Sequence, residues 1–224
     1  MTAPAPRPVI LAIDTATTRI VLAIADLDGT GVATTEWPAG YRHGETLLAS
    51  LESFLKDRLV GLEMLAAIAV GTGPGAFTGL RVGIATAKGL AHGLGRPIIG
   101  VPTGAALLAG SPPASVLLLP AGPSDRLVVR DGTAATLLPA GLEPEIRSGE
   151  TLVAIDLPDR APADALERGE VARASLGASM IRLAAGRLAA GDVDDLARLV
   201  PEYVTLPRGV RTEGGEVSWS RDPR

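Results

Sequence analysis

Three observations in the sequence predict a mixed α/β fold. A continuous apolar run over 9–15 is typical of a strand buried on both faces. Two further strand-like runs, 19–27 and 31–37, lie on either side of the hairpin dipeptide Asp28-Gly29, so the chain opens with an antiparallel meander. Beyond the meander, helical and strand-like segments alternate, and this order predicts at least one right-handed crossover.

The elements that follow can be assigned in order from hydrophobic spacing. Leucine and phenylalanine recur at helical intervals over 45–59, which predicts the first helix. A strand (65–70), a long helix (77–94), a short strand (97–101) and a short helix (103–109) follow.

The remainder of the chain predicts a second, smaller lobe. The Gly/Ser/Pro-rich stretch 110–115 is the best linker candidate, which gives a first lobe over 1–110 and a second over 111–200. Strands are predicted at 116–119, 126–129, 133–138 and 152–155, and helices at 176–190 and 193–199 that pack back on the first lobe. The tail 207–224 mixes arginines with acids, and we expect it to be solvated and mobile.

Composition excludes several classes of function. With 3% aromatic residues and a formal charge of −4, the chain lacks the stacking platforms and the positive field of a stand-alone RNA-binding protein. The absence of cysteine excludes disulfides, thiolate catalysis and zinc–thiolate sites. Residues 1–8 lack the apolar core of a signal peptide, and no run is long enough to span a bilayer, so we expect a cytoplasmic protein without membrane contact.

The most informative motif is the glycine-rich run 71–83, Gly-Thr-Gly-Pro-Gly-Ala-Phe-Thr-Gly-Leu-Arg-Val-Gly. It joins a predicted strand to a predicted helix, and this arrangement can form a backbone nest for an anion. It is not a Walker A loop, because no Lys-Ser or Lys-Thr pair closes it, and its glycine spacing differs from that of the dinucleotide fingerprint.

Small residues continue along the helix that this run opens. Gly79, Gly83, Gly89 and Gly93 would each cost about 1 kcal/mol relative to alanine in a helix interior, so close approach of another backbone has to compensate. The glycines are explained equally well by tight packing on the chain's own sheet and by a partner helix.

Isolated polar residues leave more than one interpretation open. Asp14 ends the first strand, where a carboxylate can hold a cation in a cleft or cap the following turn. His43 and His92 lie 49 positions apart, and neither has an obvious second metal ligand. Arg81 and Lys88 can reach a phosphate or remain solvated. No Gly-x-Ser-x-Gly elbow of a serine hydrolase is present.

Several of these segments together resemble the TsaB (YeaZ) family. The resemblance extends over 9–104 and is weak over 111–200. It is carried by Ile-Leu-Ala-Ile-Asp-Thr-Ala (10–16), His43 before a leucine-rich helix, the run 71–83, Ala-Lys-Gly-Leu-Ala (87–91), Ile-Gly-Val-Pro-Thr (99–103) and Pro-Glu-Tyr-Val (201–204).

The resemblance implies an actin-like ATPase (ASKHA, ribonuclease-H-like) fold with two lobes, of which the second is reduced. It also implies a non-catalytic subunit that binds and activates a TsaD-like catalytic subunit, with a TsaE-like ATPase in the same assembly. That assembly forms N6-threonylcarbamoyladenosine at position 37 of tRNA, so this chain would meet tRNA only through the complex. A homodimer in isolation is the further expectation.

Carried onto this chain, the resemblance assigns two sets of residues. A partner interface on the two helices of the first lobe would use Leu47, Leu51, Leu55, Gly79, Leu80, Gly83, Ala87 and Leu90. A vestigial ATP or ADP site would use Asp14, Thr15, Gly73 and Gly75, and no catalytic residue, resident cofactor or metal is expected.

Two departures from the wider family bear on catalysis and on the second lobe. The catalytic relatives carry two histidines four apart just after the Ile-Gly-Val strand, whereas Thr103 and Leu107 stand here and cannot replace two imidazoles. Many members open the second lobe with Asp-Ala-Arg, whereas this chain has Leu-Pro-Ala-Gly-Pro-Ser over 119–124. The alternative functions are a glycoprotease-type metallohydrolase and an independent small-molecule kinase or ATPase.

Overall fold

The computed structural model describes residues 7–38 and 43–204, and a five-stranded sheet forms its first lobe. The strands follow the order β3-β2-β1-β4-β5; β1, β2 and β3 are antiparallel, whereas β1, β4 and β5 run parallel. The carboxyl ends of β1, β4 and β5 therefore meet at one edge. The bounds are β1 Val9–Asp14, β2 Arg19–Asp26, β3 Ala33–Pro38, β4 Leu65–Gly73 and β5 Ile98–Pro102.

Helices cover both faces of this sheet. Leu11 and Ile13 of β1 pack into one core cluster with the first two helices, and Ile10 and Ala12 pack into another with the fifth helix. Burial on both faces explains why β1 is a continuous apolar run rather than an alternating one. The helices of the described chain are α1 His43–Asp57, α2 Phe77–Leu94, α3 Thr103–Ala109, α4 Ala163–Ala174 and α5 Leu176–Ala189, with a short 3-10 helix at Leu62–Met64.

A four-stranded sheet forms the smaller second lobe, in the order β8-β7-β6-β9 with β6 and β9 parallel. Leu117 and Val153 of this sheet share a core cluster with Ile10 of the first sheet and with Met180 of α5, so the two lobes are joined by a continuous apolar core. The bounds are β6 Ser115–Ala121, β7 Asp125–Val129, β8 Thr136–Leu138 and β9 Thr151–Ala154.

The predicted α/β class and most elements are confirmed, and α2 and α3 have the predicted bounds. Helix α4 was not predicted, because it has no apolar stripe and buries mainly small residues such as Ala165 and Ala172. Its Gly169 lies directly against strand β9: a Cβ at this position would stand 1.8 Å from the carbonyl oxygen of Ala154.

The predicted helix at 193–199 is wrong. Asp194 instead forms an isolated antiparallel bridge with Ile98, and its Oδ2 accepts the backbone N–H of Gly100 at 2.7 Å. These contacts with β5 hold Asp194 extended, so long-range pairing overrides local helix propensity there, and residues 196–198 form only a turn, in which the N–H of Leu199 donates to the carbonyl oxygen of Asp195 at 2.9 Å. The predicted mobile tail at 207–224 lies outside the described residues.

Over the residues that the structure describes, none of the helices has the length and apolar character needed to cross a bilayer.

Candidate functional site

The candidate site lies at the shared carboxyl edge of the parallel strands, where open α/β sheets bind their ligands. Asp14 ends β1 there and is fully buried. Its Oδ2 accepts the hydroxyl of Thr103 at 2.6 Å, and its Oδ1 accepts the backbone N–H of Ala16 at 2.9 Å. Burial raises the pKa of this carboxyl to about 6, although both hydrogen bonds oppose the rise.

The glycines of the 71–75 loop allow this edge to pack closely. A Cβ on Gly71 would lie 1.9 Å from Oδ2 of Asp14, and a Cβ on Gly75 would lie 2.2 Å from the carbonyl oxygen of Ala16. Gly73 has φ +107°, a conformation that favours glycine, and its N–H donates to Thr103 Oγ1 at 3.2 Å. The loop is thus fitted to the chain's own first strand and turn.

The structure brings together the four residues assigned to a vestigial nucleotide site, and polar groups of Asp14, Thr15 and Gly73 form hydrogen bonds within the protein. Thr15 is fully buried and donates its hydroxyl to the carbonyl oxygen of Gly79 at 2.7 Å. Asp14 is held by Thr103 and Ala16, and the N–H of Gly73 donates to Thr103. Binding of ATP or ADP here stays a prediction.

The first two glycines of α2, Gly79 and Gly83, lie on its inward face, and their contacts explain why they are small. A Cβ on Gly83 would stand 2.2 Å from Oγ1 of Thr15, and Gly79 supplies the carbonyl that Thr15 bonds. These two glycines therefore let α2 approach the β1–β2 turn. In contrast, a Cβ on Gly89 or Gly93 would have nothing within 4 Å in the part of the chain that the structure describes.

The residues of the predicted partner interface lie mainly on the inner faces of α1 and α2, and their contact with a partner stays a prediction. Most of the assigned side chains point into the protein, because the leucine stripe of α1 and the small-residue stripe of α2 are the faces that cover the first sheet. Buried in this way are Leu47, Leu51, Leu55, Gly79, Leu80, Gly83 and Ala87, whereas Leu90 is partly exposed. A docking partner would meet the opposite faces of α1 and α2.

Those opposite faces are exposed and carry small side chains at their centre. On α1, Leu48 is 62% exposed although it is a large apolar residue. On α2, the exposed positions include Ala85 and Gly89 in the middle and Arg81 and His92 towards the ends. The helices lie side by side, since a Cβ on Gly44 would be 3.8 Å from Val82 Cγ2.

A C-terminal segment, residues 199–204, lies along the outer side of the glycine-rich loop. The N–H of Glu202 donates to the carbonyl oxygen of Thr72 at 2.8 Å. The ring of Tyr203 lies 5.0 Å from that of Phe77 between centroids, and Arg81 stacks on Phe77 with its Cζ 3.7 Å from the ring centroid. Arg81 Nε also donates to the Tyr203 hydroxyl at 3.0 Å, so this guanidinium faces aromatic rings.

Between this segment and the ends of β4 and β5 lies an open cleft of about 410 Å³. Arg187 lines it, but its guanidinium is already paired with Asp192 and Asp194 at 2.6 and 3.1 Å. These partners raise the pKa of Arg187 above its ordinary value, with the hydrogen bond to Asp192 as the largest cause. Arg187 therefore offers a ligand in this cleft little uncompensated charge.

Sequence reasoning missed one residue at this edge, Asp156. It follows β9 in the second lobe, and its carboxylate reaches the β1–β2 turn of the first. A signal was available, because Ala154-Ile155-Asp156 repeats the tripeptide Ala-Ile-Asp that ends β1.

Comparison with known proteins agrees with this fold. The family model described as TsaD, tRNA N6-adenosine threonylcarbamoyltransferase, matches residues 37–148, half of the chain. The tRNA threonylcarbamoyladenosine biosynthesis protein TsaB of Escherichia coli is 43% identical over 94 residues, which are 42% of this chain and 40% of that protein. The chain therefore matches less than half the length of this relative.

A transferase and a solved structure extend the comparison. The tRNA N6-adenosine threonylcarbamoyltransferase of Jannaschia sp. is 44% identical over 63 residues, 28% of this chain and 18% of that protein. The structure of YeaZ from Pseudomonas aeruginosa superposes with a TM-score of 0.67 at 22% identity, covering 88% of this chain and 99% of that one. The predicted actin-like, two-lobed α/β fold is thereby confirmed, and the chain belongs to the TsaB (YeaZ) family.

Proposed function

We propose that this chain is a non-catalytic subunit in the formation of N6-threonylcarbamoyladenosine at position 37 of tRNA. Family membership supports the pathway, since the Escherichia coli relative is named for the biosynthesis of this nucleoside. The observation that carries the non-catalytic role is the state of Thr103 and Leu107. These residues stand where the resemblance places two histidines in catalytic relatives.

Neither side chain is available as a metal ligand. Thr103 is fully buried and donates its hydroxyl to Asp14, and Leu107 is fully buried in the apolar core. A metal at this position would have to break the Thr103–Asp14 hydrogen bond and would gain no nitrogen ligand. The chain therefore acts through a partner that keeps the catalytic ligands.

The proposed partner is a TsaD-like subunit, which binds the exposed faces of α1 and α2. Ala85 and Gly89 leave the middle of α2 bare, so a partner helix can approach the backbone closely, and exposed Leu48 on the neighbouring helix α1 provides an apolar contact. A TsaE-like ATPase would join this assembly in the cytoplasm, and tRNA would be contacted through the complex. Without its partner, the same surface would pair two copies of this chain.

The function is tested by reconstitution. We expect a purified TsaD-like subunit with its ATPase to modify tRNA only when this chain is added, measured by mass spectrometry of the modified nucleoside. Full modification without this chain would contradict the proposal. Modification by this chain alone would contradict its non-catalytic part.

The surface is tested with a matched pair of glycine variants. Gly89→Leu and Gly186→Leu both place leucine at an exposed helical glycine with nothing within 4 Å, one on α2 and one on α5. Overpacking a close helix contact costs about 1–3 kcal/mol, so we expect Gly89→Leu to weaken binding to the TsaD-like subunit by about 5–150-fold. Gly186→Leu should bind as the wild type does, in titration calorimetry.

Equal affinities for the two variants would show that the middle of α2 is not the contact. Size-exclusion chromatography of the same proteins without partner tests the homodimer, which Gly89→Leu should dissociate and Gly186→Leu should leave intact.

A further inference from the structure

Besides the shared apolar core, the two lobes are connected by hydrogen bonds between polar groups. In the β1–β2 turn of the first lobe, Thr18 donates its N–H to Oδ2 of Asp156 and its hydroxyl to Oδ1, both at 2.7 Å. Asp156 belongs to the second lobe, between β9 and α4, and lies 138 positions further along the chain. One carboxylate thus accepts two hydrogen bonds from the other lobe.

The charge of this carboxylate is balanced inside the protein. Arg173, in the last turn of α4, places its Nη2 2.8 Å from Oδ1 of Asp156, and the two side chains are 8% and 6% exposed. Nε of Arg173 is also buried and has no hydrogen-bond partner among the described residues. The guanidinium therefore depends on Asp156 for its compensation, with exposed Glu170 as a second contact at 3.2 Å.

The backbone of Asp156 is held in a disfavoured conformation. Its φ is +56°, in the left-handed region that residues with a Cβ rarely adopt. Such outliers persist when the surrounding structure fixes them, and they concentrate at functional positions. Here the conformation places the carboxylate against Thr18.

The β1–β2 turn is a place suited to an anion. It follows the carboxyl end of a parallel strand, and successive backbone N–H groups of a turn form a concavity that binds anions. In this chain carboxylates fill it: Asp14 accepts the N–H of Ala16, and Asp156 accepts the N–H and hydroxyl of Thr18.

We propose that Asp156 is an internal anion that occupies the anion-binding position of the β1–β2 turn and latches the second lobe to the first. An external phosphate group can bind at Thr18 only when this latch is open. The chain is thereby closed to phosphate ligands at this turn in its resting state. This device is independent of the proposed tRNA-modification role, and it is tested on the isolated chain.

The latch is tested by comparing Asp156→Asn with Asp159→Asn. Asp159 is a suitable control, because it also has a positive φ, +59°, but its side chain is exposed. Removing one partner of a buried ion pair is strongly destabilising, so we expect Asp156→Asn to lower Tm by about 6–15 °C and the control to change it by less than about 2 °C. Hydrogen exchange should also speed up at residues 16–19 in Asp156→Asn alone.

The anion position is tested with inorganic phosphate. Asp156→Gly removes the carboxylate and suits the positive φ, and we expect millimolar phosphate to raise its Tm and to release heat in calorimetry. Wild type should show neither effect beyond an ionic-strength control with chloride. If Asp156→Gly does not fold, Asp156→Asn serves as the second variant.

Two outcomes would overturn the proposal. Wild type and the folded variant responding equally to phosphate, or neither responding, would show that Asp156 does not occupy an anion position. Equal Tm values for Asp156→Asn and Asp159→Asn would show that it does not latch the lobes.

Discussion

The two halves of α2 carry similar glycines for different reasons. In the first half, Gly83 meets Thr15 of the β1–β2 turn, and a Cβ there would stand 2.2 Å from its hydroxyl oxygen. In the second half, Gly89 faces solvent, and a Cβ there would have no atom of the described residues within 4 Å. The inner glycine is required by packing in the folded chain, whereas the outer one weakens the helix and makes no close contact with the described residues.

This difference indicates where to look for a partner. A glycine in a helix interior costs about 1 kcal/mol relative to alanine, and at Gly83 close packing on the turn offsets this cost. None of the described residues offsets it at Gly89, which agrees with the proposed partner contact at this position. The outer half of α2 is therefore the stronger candidate for a contact surface than the residues first assigned to it.

The largest expected effect separates the two halves directly. Gly83→Leu should lower the free energy of unfolding by about 3–4 kcal/mol, because the side chain displaces Thr15 and breaks its hydrogen bond to Gly79. Gly89→Leu should raise it by up to about 1 kcal/mol through helix propensity. Urea unfolding followed by circular dichroism measures both, and changes of the same sign would remove the distinction.

The sequence predicted that α2 exists and where it begins and ends, because glycine-rich turn, apolar spacing and small residues all agree over 77–94. It could not predict which face is buried. Leu80 and Ala87 mark an apolar side, but periodicity alone does not show whether a sheet or a partner covers it. The long-range contact with Thr15, 64 positions before Gly79, decides this.

Helix α4 and Asp156 show a second limit of prediction from the sequence, which is that contacts between distant segments leave no local pattern. A helix that buries Ala165, Gly169 and Ala172 has no apolar stripe to detect, and it forms because strand β9 lies beneath it. Asp156 follows an apolar run as Asp14 does, but its partner Thr18 is 138 positions away. Contacts between lobes are set by topology, which local patterns do not contain.

The second prediction concerns Asp14, the neighbour of Thr15, which the first half of α2 contacts. Asp14 has a pKa of about 6 in the folded protein and an ordinary value of 3.8. The folded state therefore binds more protons than the unfolded state between these values, and its stability falls as pH rises through about 6. Asp14→Asn removes this dependence, so we expect it to gain about 3 kcal/mol relative to wild type between pH 4 and pH 8.

Unfolding in urea across this pH range measures the difference, and ionisable groups common to both proteins cancel. Asp28→Asn is the matched control, because hydrogen bonds with Thr30 lower the pKa of that carboxyl, and its side chain is exposed. Parallel pH profiles for wild type and Asp14→Asn would contradict a buried carboxyl with a raised pKa.

The smallest expected effect tests how the first half of α2 is covered on its outer side. Tyr203 packs on Phe77 and bonds Arg81 while remaining 40% exposed. Aromatic pairs contribute about 0.5–1.5 kcal/mol, so Tyr203→Ala should lower stability by about 1–2 kcal/mol once lost burial is added. Tyr203→Phe keeps the ring and loses only the hydroxyl, and it should fall between the two.

The order wild type, Tyr203→Phe, Tyr203→Ala in Tm would show that the C-terminal segment holds the glycine-rich loop from outside. That result would complete the contrast along α2, because the chain would cover its first half on both sides, whereas the described residues cover its second half on the inner side only. If Tyr203→Ala melted with the wild type, the segment would contribute nothing to the loop. A partner could then displace Tyr203 from Phe77 at little cost in stability and contact the whole length of the helix.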